Sequence, residues 1–489
     1  MVNLRKKEAV YLMQKADGIL SFALMSENVS NGNDYILSKI ELGIKEGICS
    51  LKDSGVDSQN QEYWNNVNYL GDIISRGYSD DLRNCIDKIK EIIRKEVKYR
   101  IVFMPYKASM WESFETVWKC AVNDSRCDVS VIPITYWEMD SQGNPVRKIN
   151  ERNLFPDYVD VINDEEYDIC EDIPDIVYIH NIYNETNLIT RVDKKYYTYN
   201  LKKYCDNLVY IPYYKWIEGV SSSLLDEGAM DVDYYILDSD KVIEDCKNHI
   251  YESADINNCD KVSFEENVIP KLVNLGCPAV DKVMSVNKSN MPIPKSWKVN
   301  SFDGKCVVLY NLTLKEIFKL QSFEKVRKVF NFFRNHIETK VIWRPHPLMR
   351  ASLVSMLPDL VSEYDNLVDG FKNGNYGILD TESDMYYSFA WSDAYYGSRR
   401  SSLSELYRYT GKPVLADNME IDFNDSFNEN IDIRNLFYQN GILKEDEVSL
   451  PELVSFISKN EITRKLDSQI LGNSGRRIHE FMIDKVCCD

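Results

Sequence analysis

The chain has 489 residues, 44% of them hydrophobic, which suits two or three folded domains of about 150 residues each and argues against disorder. Lys plus Arg number 58 against 77 Asp plus Glu, and the resulting net charge of −19 excludes a general nucleic-acid binder, since no basic run offsets it. Broad adhesion to anionic lipid is disfavoured for the same reason, although a local patch stays compatible with peripheral membrane contact.

The 12 cysteines form no C-x-x-C pair, and no histidine stands at zinc-finger spacing from two of them, so they read as reduced structural thiols of a cytoplasmic protein. The stretch from Ala9 to Met25 is broken by Lys15 and Asp17 and does not read as a signal peptide. No segment reaches the roughly 20 apolar residues of a membrane span. The expected location is the cytoplasm, with peripheral contact at the inner face of the cell membrane left open.

Residues 1–98 read as a helical N-terminal region. Ile36, Ile40, Ile44 and Ile48 recur every four residues, and Leu82, Ile86, Ile89 and Ile93 share one helix face. From residue 99 to 290, short apolar runs alternate with helical stretches: Arg100–Met104, Val129–Ile134, Asp175–Ile179, Leu208–Ile211 and Asp233–Leu237. That alternation predicts a parallel sheet with crossover helices. A linker follows at Met291–Trp297, with Pro292 and Pro294 inside it. The alternation restarts over 298–489, with strands expected at Cys306–Tyr310, Val341–Trp343, Tyr376–Leu379, Asp393–Tyr396 and Pro413–Ala416. Phe323, Val326, Phe330, Phe333 and Ile337 mark one helical stripe between the first two, and Ile462–Asp489 reads as a C-terminal helix of this second half. The expected fold class is α/β, with two Rossmann-like domains facing a cleft where the carboxyl ends of both sheets offer a ligand site.

Four short elements carry chemistry. In Ser392–Glu405, Gly397 permits a turn after a strand, and Ser402 with Glu405 fits a capping box that starts a helix. Such a helix start holds phosphate, and hydroxyls of Ser398, Ser401 and Ser402 with the guanidinium of Arg399 would strengthen the grip. In Trp343-Arg-Pro-His-Pro-Leu348, two prolines hold His346 rigidly beside Arg344. His180 ends a first-half strand, followed by Asn181. Met104–Glu112 runs from strand to helix, with Lys107 in the turn and a second capping box of Ser109 and Glu112. Asp380 and Asp384 read as loop and helix-cap residues, and neither a metal nor a cofactor is called for. No P-loop, G-x-G-x-x-G, H-E-x-x-H or G-x-S-x-G motif occurs, which removes the commonest nucleotide hydrolases, dinucleotide enzymes, zincins and elbow-type serine hydrolases.

At these residues the sequence resembles the CDP-glycerol glycerophosphotransferase-like proteins of bacterial teichoic-acid and surface-polymer synthesis. The resemblance spans roughly residues 100 to 420 and rests on MPYKASMWES (104–113), LFPDYV (154–159), IHNIYNETN (179–187), YIPYY (210–214), LGCPAVDKV (275–283), LYNLT (309–313), WRPHPL (343–348), SDAYYG (392–397) and SSLSELYRYTGKPV (401–414). It implies a GT-B fold and transfer of glycerol phosphate, or a related polyol phosphate, from CDP-glycerol or a related nucleotide donor to a polyol-phosphate or glycan acceptor. The implied donor site comprises Arg344, Ser398, Arg399, Ser401, Ser402, Asn311 and Thr313; the acceptor side comprises Lys107, Ser109 and Asn181. The Trp-His-Gly-Thr element of well-studied members is absent, and His180 takes its place by position as base, with His346 as the second catalytic histidine. Should His180 not serve as base, His346 or a carboxylate such as Glu112 or Asp175 is to be considered. Competing readings are a GT-B glycosyltransferase using a nucleotide sugar and a non-catalytic polymer-binding protein of the same fold.

Overall fold

The computed structural model describes residues 4–29, 34–76, 79–140, 142–187, 189–216, 227–257, 265–297, 302, 304–398, 401–417, 435–439, 442–444, 450–459 and 472–487. The first half supplies β1 (Leu4–Arg5), β2 (Val97–Met104), β3 (Cys127–Val131), β4 (Tyr136–Met139), β5 (Pro145–Ile149), β6 (Ile176–Ile179), β7 (Thr190–Val192), β8 (Asn207–Tyr210), β9 (Tyr234–Leu237) and β10 (Leu272–Asn274). Its main sheet is parallel, running β3-β2-β6-β8-β9-β10, with the two-residue β1 paired to the start of β2. The second half supplies β11 (Cys306–Asn311), β12 (Thr339–Trp343), β13 (Gly377–Leu379), β14 (Ala394–Ser398), β15 (Val414–Asp417), β16 (Asn435–Gln439) and β17 (Ile442–Lys444). Its order is β13-β12-β11-β14-β15-β16-β17, and only the last two strands pair antiparallel.

All ten expected strands are present, and the reason is physical. Most are short runs rich in β-branched, aromatic or Leu side chains, and a parallel sheet covered by helices on both faces buries such a run, whereas the edge strand β3 is mostly half-buried. β6, β11 and β14 are buried along their whole length. The patterns of β4, β5 and β7 are different: they form a small antiparallel sheet whose β5 is mostly exposed, and such half-wet strands carry no continuous apolar signal.

The N-terminal helices α1 (Lys6–Asn28), α2 (Asp34–Lys52), α3 (Gln61–Arg76) and α4 (Ser79–Glu96) bury their apolar stripes in one core with β2, β6 and helix α5 (Glu112–Asn123). They form an appendage packed on the first half rather than a separate body. The stripe on α8 (Glu324–Asn335) is buried through Val326, Val329, Phe330 and Phe333, whereas Ile337 lies past the helix end and is 81% exposed.

The C-terminal helix, described as α10 (Ser474–Val486), corrects the expected boundary, because it packs on α5 of the first half and not on the second. An amphipathic stripe tells that a helix has a partner and not which one. Ile478, Met482, Ile483 and Val486 fill the first-half core, and Gly475 lies against Thr116. Together the two halves make an α/β fold of GT-B type, facing one another across a cleft: Lys282 and Asp384 meet there, and Lys215 lies 6.0 Å from the Tyr409 ring centroid. Among the described residues no helix is long and apolar enough to cross a membrane.

A Cβ at position 475 would stand 2.5 Å from the Thr116 carbonyl carbon, a backbone atom that cannot swing away. Gly475→Ala is therefore expected to lower stability by about 1–3 kcal/mol, as overpacking does, read as a lower Tm. An unchanged Tm would contradict this docking of α10.

Candidate active site

Strand order reverses at two places, between β2 and β6 in the first half and between β11 and β14 in the second. In open α/β sheets the crevice outside such a switch point, at the carboxyl ends of the strands, is where ligands bind. The second-half residues singled out by sequence converge there. Asn311 ends β11 and donates from Nδ2 to the Arg344 carbonyl at 2.8 Å, while Ser401 Oγ lies 3.4 Å from Asn311 Oδ1. Gly397 lies within β14 rather than in a turn, and its hydrogen side chain is needed because a Cβ would collide with the Asn311 carbonyl oxygen.

The helix start is shifted from the expected one. Ser401, not Ser402, is the N-cap of α9 (Ser402–Arg408), accepting from Leu403 N–H at 3.2 Å. Ser402 is the first helical residue, half-buried, and Arg399 lies outside the described residues. A second capping box, of Thr313 with Glu316, opens α7 (Leu314–Leu320), and sequence reasoning missed it. Its T-x-x-E pattern was the available signal. Ser398 joins this box, touching the Glu316 carboxylate and the Thr313 N–H, so Thr313 and Ser398 are already engaged within the protein.

Arg344 follows β12 and is buried, with Nη1 2.7 Å from Asp380 Oδ2. His346 stands half-buried beyond it. Its Nδ1 accepts the Leu348 N–H at 3.1 Å, which leaves the ring proton on Nε2. Burial, then the charges of Lys107 and Arg344, push its pKa down to about 4. It is thus a neutral donor at physiological pH.

Lys107 is buried, its Nζ 4.5 Å from the Tyr136 ring centroid and 3.4 Å from the Tyr136 hydroxyl, and burial lowers its pKa. Asn181 is buried with an Nδ2 that has no hydrogen-bond partner. Ser109 sits half-buried in the single 3-10 turn Ala108–Met110 and caps nothing, because the chain turns once more before α5 and makes Trp111 the N-cap.

His180 does not reach the cleft. It is fully buried, its ring stacks on Phe114 at 3.5 Å, and Nδ1 meets the Ile211 carbonyl oxygen at 3.0 Å. Burial pushes its pKa down to about 3. An imidazole enclosed in this way packs the strand end against α5, and the expected base is corrected on that ground. Asp175 is no substitute: its carboxylate accepts the Arg100 N–H at 2.7 Å, at the amino end of β6.

Glu112 is a buried carboxyl of the first half on which charges of the second half act. It opens α5 beneath the Lys107 turn, buried, in the field of Lys282, Asp384 and Arg344. Burial pushes its pKa up to about 8, with its own N–H and Lys282 acting the other way. Beside it lies an ion triad that no single segment announces. Lys282, on α6 (Pro278–Ser285), meets Glu115 at 2.7 Å and Asp384 at 3.0 Å. Burial would raise the Glu115 pKa, but Lys282 and the hydrogen bonds to it outweigh that and bring it to about 2.

No protein-family model matches the chain. No curated protein matches it either. Among solved structures it is similar to UDP-GlcNAc 2-epimerase from Neisseria meningitidis bound to UDP-GlcNAc, at 12% identity and a TM-score of 0.43, covering 79% of this chain and 100% of that one. It is also similar to the wall teichoic acid polymerase TagF, at 10% identity and a TM-score of 0.43, covering 88% and 98%. A third likeness is to S. aureus MnaA with UDP, at 13% identity and a TM-score of 0.37, covering 66% and 80%. These likenesses are remote, and the architecture rests on the strand orders given above.

Glu112 contributes to the pH dependence of stability. An unfolded glutamate titrates near 4.3, and the folded one near 8. Between those values the native state keeps a proton that the unfolded chain has lost, so this group's share of the stability falls as pH rises through the window, while the depressed His180 and His346 act the other way below about 6.5. Glu112→Gln removes that dependence. The variant is expected to match wild type near pH 4 and to exceed its Tm at pH 9; a wild type that stays the more stable at pH 9 would contradict the buried carboxyl.

Proposed function

We propose that the protein is a transferase that moves glycerol phosphate, or a related polyol phosphate, from a CDP-activated donor to a hydroxyl acceptor in cell-surface polymer synthesis. The observation that supports this reading is that Arg344 and His346 of the second half lie close enough to Glu112 and Lys107 of the first for their charges to act on one another. The motif resemblance along residues 100 to 420 supports the choice of donor.

In the proposed reaction the acceptor oxygen attacks the phosphorus that bears the glycerol, and CMP leaves with the bridging oxygen. Glu112, deprotonated, takes the hydroxyl proton, a role suited to a group that titrates near working pH. Arg344, the Nε2–H of His346 and Lys107 offset charge on the phosphate oxygens, and positioning of this kind supplies most of the rate in phosphoryl transfer. Asn181 Nδ2 donates to the acceptor. Ser401, Ser402 and Arg399 are assigned to the donor nucleotide, and Ser109 to the acceptor side.

Two measurements test this. CDP-glycerol should bind the wild type in calorimetry, and His346→Ala should bind it about 10- to 100-fold more weakly, the worth of one hydrogen bond to a charged group, with an unchanged Tm in the absence of ligand. Binding of UDP-GlcNAc but of no CDP compound would transfer the reading to a nucleotide-sugar enzyme, and no nucleotide binding at all would favour the polymer-binding alternative. The pH profile of kcat/KM should rise to a plateau with a midpoint near 8, because the base works only when Glu112 has lost its proton. A profile flat between pH 6 and about 9 would remove Glu112 as base.

A further inference from the structure

A second cluster of ligating side chains lies at the other edge of the first-half sheet, away from the cleft. Asp124 caps the C-terminus of α5, Cys127 is the first residue of β3, and His479 lies on α10. One donor atom from each of the three falls within 4.8 Å of the other two. His479 Nε2 stands 2.9 Å from Asp124 Oδ2, and His479 is buried with an Nδ1 that has no hydrogen-bond partner.

From this geometry we propose that Asp124, Cys127 and His479 form a binding site for a divalent transition metal of the zinc type, which staples α10 to the first half. The donor set mixes nitrogen, sulfur and carboxylate oxygen, the combination that suits zinc rather than magnesium or calcium. Tetrahedral zinc with bonds of about 2.0–2.1 Å to nitrogen and oxygen sets those two atoms about 3.3 Å apart, so the Asp124–His479 contact needs to open by only a few tenths of an ångström. Arg126 orients the carboxylate from behind, its Nη2 2.8 Å from Oδ2 and its backbone N–H 2.9 Å from Oδ1. Outer partners of this kind commonly fix a ligating carboxylate. Water completes the fourth position.

Binding replaces the thiol proton of Cys127 by the metal and releases that proton to solvent. The staple joins residues 124 and 479, distant in the chain, and holds the helix whose Gly475 N–H meets Asp281 of α6.

The test uses the untagged full chain, stripped with chelator and titrated with Co2+. One equivalent should bind with a thiolate-to-cobalt charge-transfer band, Zn2+ should displace it, and metal should raise Tm. Cys127→Ser should lose the band, and His479→Gln should bind Co2+ at least about tenfold more weakly, as even lost outer partners cost that much. His479→Gln preserves volume and neutrality, so it gives the answer should Cys127→Ser not fold. Absence of saturable binding, or an unchanged band and affinity in His479→Gln, would overturn the site.

Discussion

The geometry of the cleft depends on Lys282. This one ammonium, mostly buried, meets Glu115 of the first half and Asp384 of the second, and the helix that carries it lies between the two sheets. Its neighbour Asp281 accepts the Gly475 N–H at 2.8 Å and faces Thr116 Oγ1 at 3.4 Å, so adjacent residues of one short helix hold the second half, α5 and the C-terminal helix together. Burying a lysine is costly, and here two carboxylates offset it, Glu115 being shared with Lys119; removal of Lys282 would leave Asp384 without this counter-charge.

The consequence for chemistry follows from the same low-dielectric enclosure. Glu112 is three residues from Glu115 on α5 and shares its burial, but it has no ammonium in contact. Two carboxyl groups on one helix therefore part company: Glu115, paired, titrates near 2, and Glu112, unpaired, near 8. Environments that separate the pKa values of neighbouring groups are how a site obtains an acid or base suited to neutral pH. The second half contributes the opposite character: Arg344, anchored by Asp380, and a His346 ring whose proton is fixed on Nε2 by the Leu348 N–H.

The sequence made the two sheets legible because buried parallel strands are continuous apolar runs, and all ten predicted strands are found where those runs lie. Lys107 follows β2 and Asn311 ends β11, strands that flank the two switch points, with Arg344 and Ser401 beside Asn311. What it could not give was tertiary choice. His180 ends its strand as expected, yet Phe114 and Ile211 enclose it, and no local pattern distinguishes an enclosed histidine from an open one. Glu112 was legible as a reserve carboxylate and as the glutamate of an apparent capping box with Ser109, but its burial was not. Lys282, Asp384 and α10 act through partners more than a hundred residues away, beyond the reach of any periodicity.

The central claim is that one cleft joins a phosphate-gripping second half to a carboxylate base in the first. The most direct measurement is nucleotide release and phosphodiester formation when the protein is mixed with CDP-glycerol and a polyol-phosphate acceptor. The account predicts CMP released in step with the new phosphodiester, and a fall of about 10²–10⁴-fold in Glu112→Gln, the range typical of a lost general base. CMP release undiminished in Glu112→Gln, or turnover only with a UDP-sugar, would contradict it.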